Sequence, residues 1–146
     1  MKVNSIVRIT VICLCLGIVS QIAHAQAQHR AVPAAVRIGG YALTHNGNIV
    51  KNFVYTGSCP VKLQFAWGVI PTEPLQFKYH FERSDGAQAP AGEKSLSRPG
   101  ISEDVITTWD LGANTTEFKD FKGWEDLVID FPNKVSQKIN FTLHCR

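Results

Sequence analysis

The stretch Y-T-G-S-C-P-V-K-L-Q-F-A-W-G-V, from Tyr55 to Val69, has the pattern of a buried β-strand that opens with a cysteine. From Cys59 to Val69 every second residue is apolar. A period of two places these side chains on one face of a strand, which indicates that this face lies in a core. A second cysteine, Cys145, closes a similar alternation at the far end of the chain, in I-N-F-T-L-H-C.

Residues 1–25 have the organisation of a secretory signal peptide. Lys2 and Arg8 supply positive charge, an apolar run follows from Ile9 to Val19, and A-H-A ends at Ala25. We predict cleavage after Ala25, with cleavage after Ala27 as the alternative. The apolar run is shorter than the roughly 20 residues of a membrane-spanning helix, so no membrane insertion is expected after cleavage.

Cleavage after Ala25 would leave 121 of the 146 residues, a length typical of one domain. The remaining chain would carry 13 Lys and Arg against 12 Asp and Glu. Nucleic-acid binding needs clustered basic side chains, and this nearly neutral balance favours no such partner. We expect a monomer that is secreted or periplasmic.

The two cysteines outside the signal peptide are predicted to form one disulfide. Cys13 and Cys15 lie in the apolar run and leave with it, whereas Cys59 and Cys145 enter an oxidising compartment. Closing this loop of 86 residues would stabilise the fold by roughly 4 kcal/mol in the chain-entropy model. Because no zinc spacing or C-x-x-C redox motif is present, we expect no metal and no cofactor.

Residues 26–35 are predicted to be a flexible lead, and residues 36–146 to form the folded domain. A first strand is expected from Val36 to Thr44, broken or bulged at Gly39 and Gly40. Asn46-Gly47 is a strong turn signal, because both residues adopt positive φ readily. A returning strand over Ile49–Tyr55 is one interpretation, and a single long irregular edge segment is the other.

The later part of the chain shows four more strands separated by polar connections. We predict strands at Leu75–Phe81, Glu103–Leu111, Leu127–Phe131 and Ile139–Cys145. Residues 84–100 are predicted to be loop, with a short edge strand at Ser95–Ser97, and residues 112–123 a long polar connection. Short strands without a sustained helical stripe predict an antiparallel β-sandwich of about seven strands.

His80, Glu82 and His144 are the candidate metal ligands. Each is predicted on the polar face of a strand, and a site would form only if the two strands were neighbours. Exposed histidines are common on strands, and the sequence shows no additional residues that would orient these two histidines toward a metal ion. We therefore interpret them as surface residues and assign no metal site.

The paired acids Glu103-Asp104 and Glu125-Asp126 are the candidate carboxylates for glycoside hydrolysis. A glycosidase needs two carboxylates that face one substrate. Neighbouring residues on a strand point to opposite faces, so the two acids of either pair cannot both contact the same substrate. Both pairs are interpreted as charges that protect the start of a strand. With no G-x-S-x-G motif in addition, the sequence predicts no catalytic residues and no enzyme, and a small secreted hydrolase is the weakest alternative.

The three tryptophans differ in their expected exposure. Trp67 and Trp109 share the parity of core residues, whereas Trp124 follows a glycine in a stretch predicted to be irregular. Trp124 is therefore the candidate ligand-binding residue, set against a role as a core or edge plug. The loops at residues 88–102 and 112–122 would be its partners in a carbohydrate-binding module.

Five motifs resemble a family of uncharacterised exported bacterial modules with an immunoglobulin-like fold. The resemblance spans about two-thirds of the chain. Its motifs are Y-T-G-S-C-P-V (Tyr55–Val61), R-S-D-G (Arg83–Gly86), T-T-W-D-L-G (Thr107–Gly112), G-W (Gly123–Trp124) and F-T-L-H-C (Phe141–Cys145). The resemblance implies an immunoglobulin-like sandwich and carries over no activity. We expect an exported, non-catalytic module with a structural or protein-recognition role, and a carbohydrate-binding module as the alternative.

Overall fold

The computed structural model describes residues 35–87, 89–112 and 120–146, with the side chains of residues 89 and 90 excepted. These residues form an immunoglobulin-like β-sandwich of nine strands and one 3-10 turn. The strands are β1 (Val36–His45), β2 (Asn48–Ile49), β3 (Val54–Gly57), β4 (Val61–Pro71), β5 (Leu75–Arg83), β6 (Ala89–Leu96), β7 (Glu103–Leu111), β8 (Asp120–Phe131) and β9 (Val135–Cys145). The 3-10 turn spans Lys51–Phe53. The predicted signal peptide and residues 26–34 of the predicted lead lie outside the described residues.

The strands form two sheets that enclose the core. One has the order β2-β1-β4-β7 and the other β3-β9-β8-β5-β6. The predicted sandwich is confirmed, with more strands than expected and one departure from antiparallel order, since β3 pairs with β9 in parallel. Among the described residues no helix has the length and hydropathy needed to span a membrane.

The core lies between the sheets and is rich in aromatic residues. Trp67 on β4 is fully buried and Trp109 on β7 is 5% exposed, which confirms that both are core residues. The Trp67 indole N–H donates a 2.7 Å hydrogen bond to the Gln137 carbonyl, so its one polar group is paired. Phe65 and Phe141 join the sheets edge to face, with 5.3 Å between ring centroids. This arrangement follows from the strict alternation that the sequence shows on β4.

The first hairpin is formed partly as predicted. Asn46 and Gly47 have φ values of 49° and 77°, as the turn signal requires, and the register of β1 shifts between Ile38 and Gly40. Both interpretations of the returning segment are wrong. After the two residues of β2 the chain leaves this sheet through the 3-10 turn, and β3 joins the edge of the other sheet.

Cys59 and Cys145 form the predicted disulfide, with 5.5 Å between their Cα atoms. Cys59 lies where the chain passes from β3 in one sheet to β4 in the other, and Cys145 ends β9. Gly112 lies against this bridge with φ 77°, and a Cβ there would be 2.9 Å from the Cys59 Cβ. The disulfide therefore fixes one end of the sandwich and leaves no space beside it.

Two predicted connections contain strand instead. Residues 89–96 form β6, an edge strand where Pro90 is tolerated because an edge need not pair on both sides. The predicted connection over residues 112–123 ends at Asp120, where β8 begins, and its residues 113–119 lie outside the described part. Trp124 thus lies within a strand rather than in an irregular stretch, because β8 pairs continuously with β9 from Asp120.

Candidate functional site

The outer face of the five-stranded sheet carries the polar side chains of β5, β8 and β9. Because side chains opposite one another in antiparallel strands share a face, Glu82, Asp126 and Lys138 form one row across the sheet. Trp124 lies in the next row, opposite Asn140 on β9. The sheet register therefore surrounds one aromatic side chain with carboxylate, ammonium and amide groups.

His80 is held between two carboxylates on this face. Its Nδ1 lies 2.6 Å from Asp130 Oδ2, and its Nε2 lies 3.4 Å from Glu82 Oε1. The register shifts between Lys78 and Tyr79, and this bulge lets Asp130 reach His80 from the neighbouring strand. The hydrogen bond to Asp130 raises the pKa of His80 above its usual value, with Glu82 acting in the same direction. Protonation of His80 therefore offsets carboxylate charge on this surface.

Trp124 is half-buried and held from both its backbone and its ring. The backbone N–H of Trp124 donates a hydrogen bond to Ser84 Oγ at 3.1 Å, and the backbone carbonyl of Trp124 accepts one from the Ser84 N–H at 3.0 Å. The Lys138 ammonium lies 3.7 Å from the indole centroid, a cation–π contact that covers one face of the ring. The indole is thus fixed in orientation, and any stacking ligand must use its other face.

Asp126 is 8% exposed although it lies on the outer face. Burial raises its pKa, and Lys138 opposes that effect while the nearby Glu82 charge adds to it. Like charges directly opposite each other on paired strands are normally unfavourable, so the Glu82 and Asp126 pair is a local electrostatic cost. Lys138 contacts the indole and also lowers this cost.

Two depressions border the Trp124 indole. The larger, of about 610 Å³, is lined in part by His80, Glu82, Ala87 and Asp130. The smaller, of about 340 Å³, is lined in part by Asn52, Lys122, Asn140 and Thr142. We name these depressions the acidic depression and the amide depression, and the two together with Trp124 the Trp124 surface. These volumes fall within the range of small-molecule sites, although both depressions are open to solvent.

Of the candidate metal ligands, His80 and Glu82 are in contact on β5, but His144 does not join them. The strands β5 and β9 are not neighbours, because β8 lies between them. His144 instead contacts Asp120, eight residues along β8 from the Val128 that pairs with His80. Eight residues of strand correspond to about 26 Å. Within the described residues no group of three or more His, Cys, Asp or Glu is arranged to hold a metal ion.

The two acid pairs behave differently from each other. Glu103 opens β7 as predicted, but Glu125 and Asp126 lie in the middle of β8 rather than at its start. Glu125 is fully buried between the sheets while Asp126 faces outward, which confirms that adjacent acids point to opposite faces. The interpretation of Glu125 and Asp126 as charges that protect the start of a strand is therefore wrong.

Glu125 forms a buried polar cluster that the sequence does not predict. It is opposite Arg83 on β5, whose guanidinium lies 3.9 Å from the Trp109 centroid and 2.6 Å from Asp85. Among the described residues, neither carboxyl oxygen of Glu125 has a hydrogen-bond partner of normal geometry. Burial raises the pKa of Glu125 to about 7, against a smaller lowering by Arg83 and Thr107. The only sequence signal is its parity with Leu127 and Ile129 on β8.

Both segments predicted to flank Trp124 contribute a residue to the depressions, Ala91 from residues 88–102 and Lys122 from residues 112–122. These residues lie in β6 and β8 rather than in loops, and residues 113–119 lie outside the described residues. The other neighbours of Trp124 come from β5, β9 and the 3-10 turn. Alternation alone identifies which residues of one strand share a face, but it does not say which strands are adjacent. The Trp124 surface therefore depends on the sheet order, which the sequence leaves open.

No protein-family model matches this chain, and no curated protein matches it. Solved structures that resemble it in fold include the CARDB domain of a Pyrococcus furiosus protein in complex with di-metal ions. That match has 8% identity and a TM-score of 0.48, and covers 76% of this chain and 96% of the other. The C-terminal domain of Wzt is similar at 10% identity and a TM-score of 0.46, over 77% of this chain and 74% of the other.

A third similar structure is the Pseudomonas fluorescens alkylpurine DNA glycosylase AlkC, bound to DNA containing an abasic site analogue. It matches at 13% identity with a TM-score of 0.44, over 76% of this chain and 31% of the glycosylase. Identities and scores this low carry no argument about function. The fold itself places the chain in the class of disulfide-linked immunoglobulin-like β-sandwiches.

Proposed function

We propose that this protein is an exported, non-catalytic recognition module that binds its partner through the Trp124 surface. The observation that carries the proposal is the half-buried Trp124 indole, which borders two depressions lined by polar side chains. A large aromatic side chain that is rigidly held beside hydrogen-bonding groups is the usual anchor of a recognition surface. Recognition of a protein is the first form of the proposal.

Export is supported by the signal-peptide pattern of residues 1–25 and by the disulfide. A bridge between Cys59 and Cys145 persists in an oxidising compartment and is rare in the cytosol. The proposed destination is the periplasm or the extracellular medium. The proposed module acts as a monomer, and its partner is a protein or a glycan.

The absence of catalysis is proposed from the arrangement of the carboxylates. A glycosidase needs two carboxyl groups that face each other across a substrate. On the Trp124 surface Glu82 and Asp130 instead contact opposite nitrogens of His80, and Asp126 is almost fully buried. Both carboxylates are therefore engaged by the imidazole and do not face each other across one substrate. A hydrolase panel is expected to show no turnover by the purified mature protein.

Carbohydrate binding is the second candidate function. It is favoured by the types of side chain that surround Trp124, because amide and hydroxyl groups both donate and accept hydrogen bonds. Asn140 and Thr142 on β9 provide such groups next to the indole. Sugar hydroxyls have the same dual character, whereas most protein interfaces also present an apolar centre.

The proposal is tested by screening the mature protein on a glycan array and on a displayed-peptide library, with two matched variants. Trp124→Ala removes the indole, and Ile106→Ala removes an apolar side chain, 50% exposed, from the other sheet. We expect at least one probe class to bind wild type and Ile106→Ala equally and to lose binding to Trp124→Ala. Equal binding by all three proteins, or no binding by folded wild type to either probe class, would overturn the proposal.

A further inference from the structure

We propose that Arg83 changes partner with pH: it pairs with Asp85 while Glu125 is protonated, and it turns inward to Glu125 once that carboxyl group ionises. As a means of regulating the Trp124 surface, this switch rests on the recognition function proposed above. The movement itself is a property of the protein without a partner. It follows from the position of Arg83 between an outer and an inner carboxyl group.

The inner partner is already in place. Arg83 and Glu125 are directly opposite each other on β5 and β8, so both side chains leave the sheet on its core side. Within the described residues, neither the carboxyl oxygens of the fully buried Glu125 nor Arg83 Nε has a hydrogen-bond partner of normal geometry. Because an unpaired buried charge is costly, joining this donor to this acceptor is favoured once Glu125 is ionised.

The outer partner can release Arg83 and still be solvated. Arg83 Nη2 lies 2.6 Å from Asp85 Oδ2, and the Asp85 side chain is 37% exposed. The other carboxyl oxygen of Asp85 accepts the Ala87 N–H at 3.0 Å, so the turn after β5 keeps this bond. An ion pair near the surface contributes little to stability, whereas a buried charge without a partner is strongly unfavourable. Ionised Glu125 therefore competes successfully with Asp85 for the guanidinium.

The charged groups that act on Glu125 come from β5 and the turn after it. Burial raises the pKa of Glu125 to about 7, Arg83 and the Thr107 hydroxyl lower it by less, and Asp85 adds to the rise. From β9 the residue opposite Glu125 is the apolar Ile139. When Glu125 loses its proton to water near neutral pH, Arg83 is the one cation among the described residues that acts on this carboxyl group.

The Trp109 indole provides the surface on which the guanidinium moves. Arg83 Cζ lies 3.9 Å from the centroid of this ring, which belongs to β7 of the other sheet. A planar guanidinium stacks on an aromatic face and keeps this contact when it shifts along the ring. The change of partner is therefore a short movement within the edge of the core, and the Trp109 indole N–H should report it.

The switch adjoins the Trp124 surface at two points. Ser84 follows Arg83 and Trp124 precedes Glu125, and Ser84 and Trp124 are joined by two hydrogen bonds. Arg83 also lines the acidic depression. When the guanidinium turns inward, positive charge leaves this depression and its carboxylates remain. The acidic side of the Trp124 surface therefore becomes more negative as pH rises.

The test is an NMR titration of the mature protein from pH 5 to pH 8. We expect the Glu125 carboxyl carbon, the Arg83 Nε–H and the Trp109 indole N–H to shift with one common midpoint at about pH 7. In Glu125→Gln the Arg83 and Trp109 signals should stay constant, while His80, whose pKa is raised by Asp130, still titrates. The exposed control Glu93→Gln should titrate as wild type does.

Asp85→Asn provides a second variant, which removes the outer partner and leaves the core unchanged. Arg83 is then free to pair with Glu125, so the midpoint of Glu125 should fall by about one pH unit. An unchanged or higher midpoint would contradict the switch. It would also be overturned if Glu125 did not ionise between pH 5 and pH 8, or if it ionised while the Arg83 and Trp109 signals stayed constant.

These signals are recorded without a partner, so failure of the switch is distinguishable from failure of the recognition proposal. A protein that titrates as expected but binds no array or peptide probe would support the switch and refute recognition by the Trp124 surface. A probe that binds through Trp124, together with constant Arg83 and Trp109 signals, would refute the switch alone.

Discussion

Glu125 is an ionisable residue in a position that otherwise suits an apolar side chain. It is a carboxyl group with 0% exposure between the two sheets, and Arg83, its neighbour across the strands, is already paired with Asp85. A buried carboxyl avoids much of the cost of desolvation by remaining protonated. This explains why burial, rather than a nearby charge, is the main cause of its raised pKa.

The ionisation of Glu125 should make the stability of the protein depend on pH. Its pKa is about 7 in the folded protein, against 4.5 for an exposed carboxyl of the same type. Between these values the folded state binds more protons than the unfolded state, so stability should fall as pH rises from about 4.5 to 7. In urea unfolding at pH 5 and pH 8, Glu125→Gln should match wild type at pH 5 and exceed it by on the order of 2 kcal/mol at pH 8.

The matched control for this experiment is Glu93→Gln, which neutralises an exposed carboxyl on the edge strand β6. It should keep the wild-type dependence on pH. If Glu125→Gln also retains that dependence, or is less stable than wild type at pH 8, Glu125 is not the buried acid that the structure indicates.

At the scale of elements, the sequence predicts best those strands whose environment is simple. β4 and β7 each have one face in the core, and their alternation gives both their positions and their inward-facing residues correctly. The sequence predicts only the end of β6, as the edge strand at Ser95–Ser97, and misses residues 89–94 and the start of β8, because Pro90, Gly92 and Gly123 are typical of loops. Edge position makes a proline acceptable in β6, and β8 is stabilised by pairing on both sides.

The turn that ends β7 depends on a glycine for two separate reasons. Gly112 and Gly47 both have φ 77°, but within the described part of the chain only Gly112 has a neighbour, the disulfide, within 4 Å of the position of a Cβ. Substituting alanine costs conformational energy at both sites and adds overpacking only at Gly112. Urea unfolding should therefore show Gly112→Ala to be less stable than Gly47→Ala by at least about 1 kcal/mol.

This comparison isolates the steric contribution, because φ is the same at both glycines. An equal loss of stability in the two variants would show that the space beside Cys59 is not closed. The added methyl group of Gly112→Ala would press against the disulfide. Free thiol in this variant would therefore also support the steric explanation.

At the scale of the whole molecule, the disulfide joins the last strand to the segment that passes between the sheets. The chain between Cys59 and Cys145 contains β4 to β9, with strands of both sheets, so the bridge constrains most of the domain. Replacing both cysteines by serine should lower the free energy of unfolding by roughly 4 kcal/mol. Urea unfolding measures this, and a loss below about 1 kcal/mol would contradict the assigned role.

The order of the strands is what the sequence leaves open at this scale. The two cysteines and the strand parities predict a sandwich tied near one end, and the structure confirms it. The crossing of the chain after β2 and the parallel pairing of β3 with β9 carry no local signal. Both depend on which edge has backbone groups free to pair, a property of the assembled sheets.

The Trp124 surface is a consequence of that order. Glu82, Trp124 and Asn140 come from three strands that are adjacent only because β8 lies between β5 and β9. A single strand pattern identifies each of them as outward-facing and gives no reason to group them. Recognition by this sheet face, rather than by the loops at the ends of the sandwich, is therefore the central claim.

That claim is tested most directly by an amide chemical-shift map of the mature protein, recorded with its strongest array or peptide-library probe. We predict shifts concentrated in β5, β8, β9 and the 3-10 turn, with the largest change at the Trp124 indole N–H. Shifts concentrated in the β1–β4–β7 sheet or in the loops at either end of the sandwich would contradict the account.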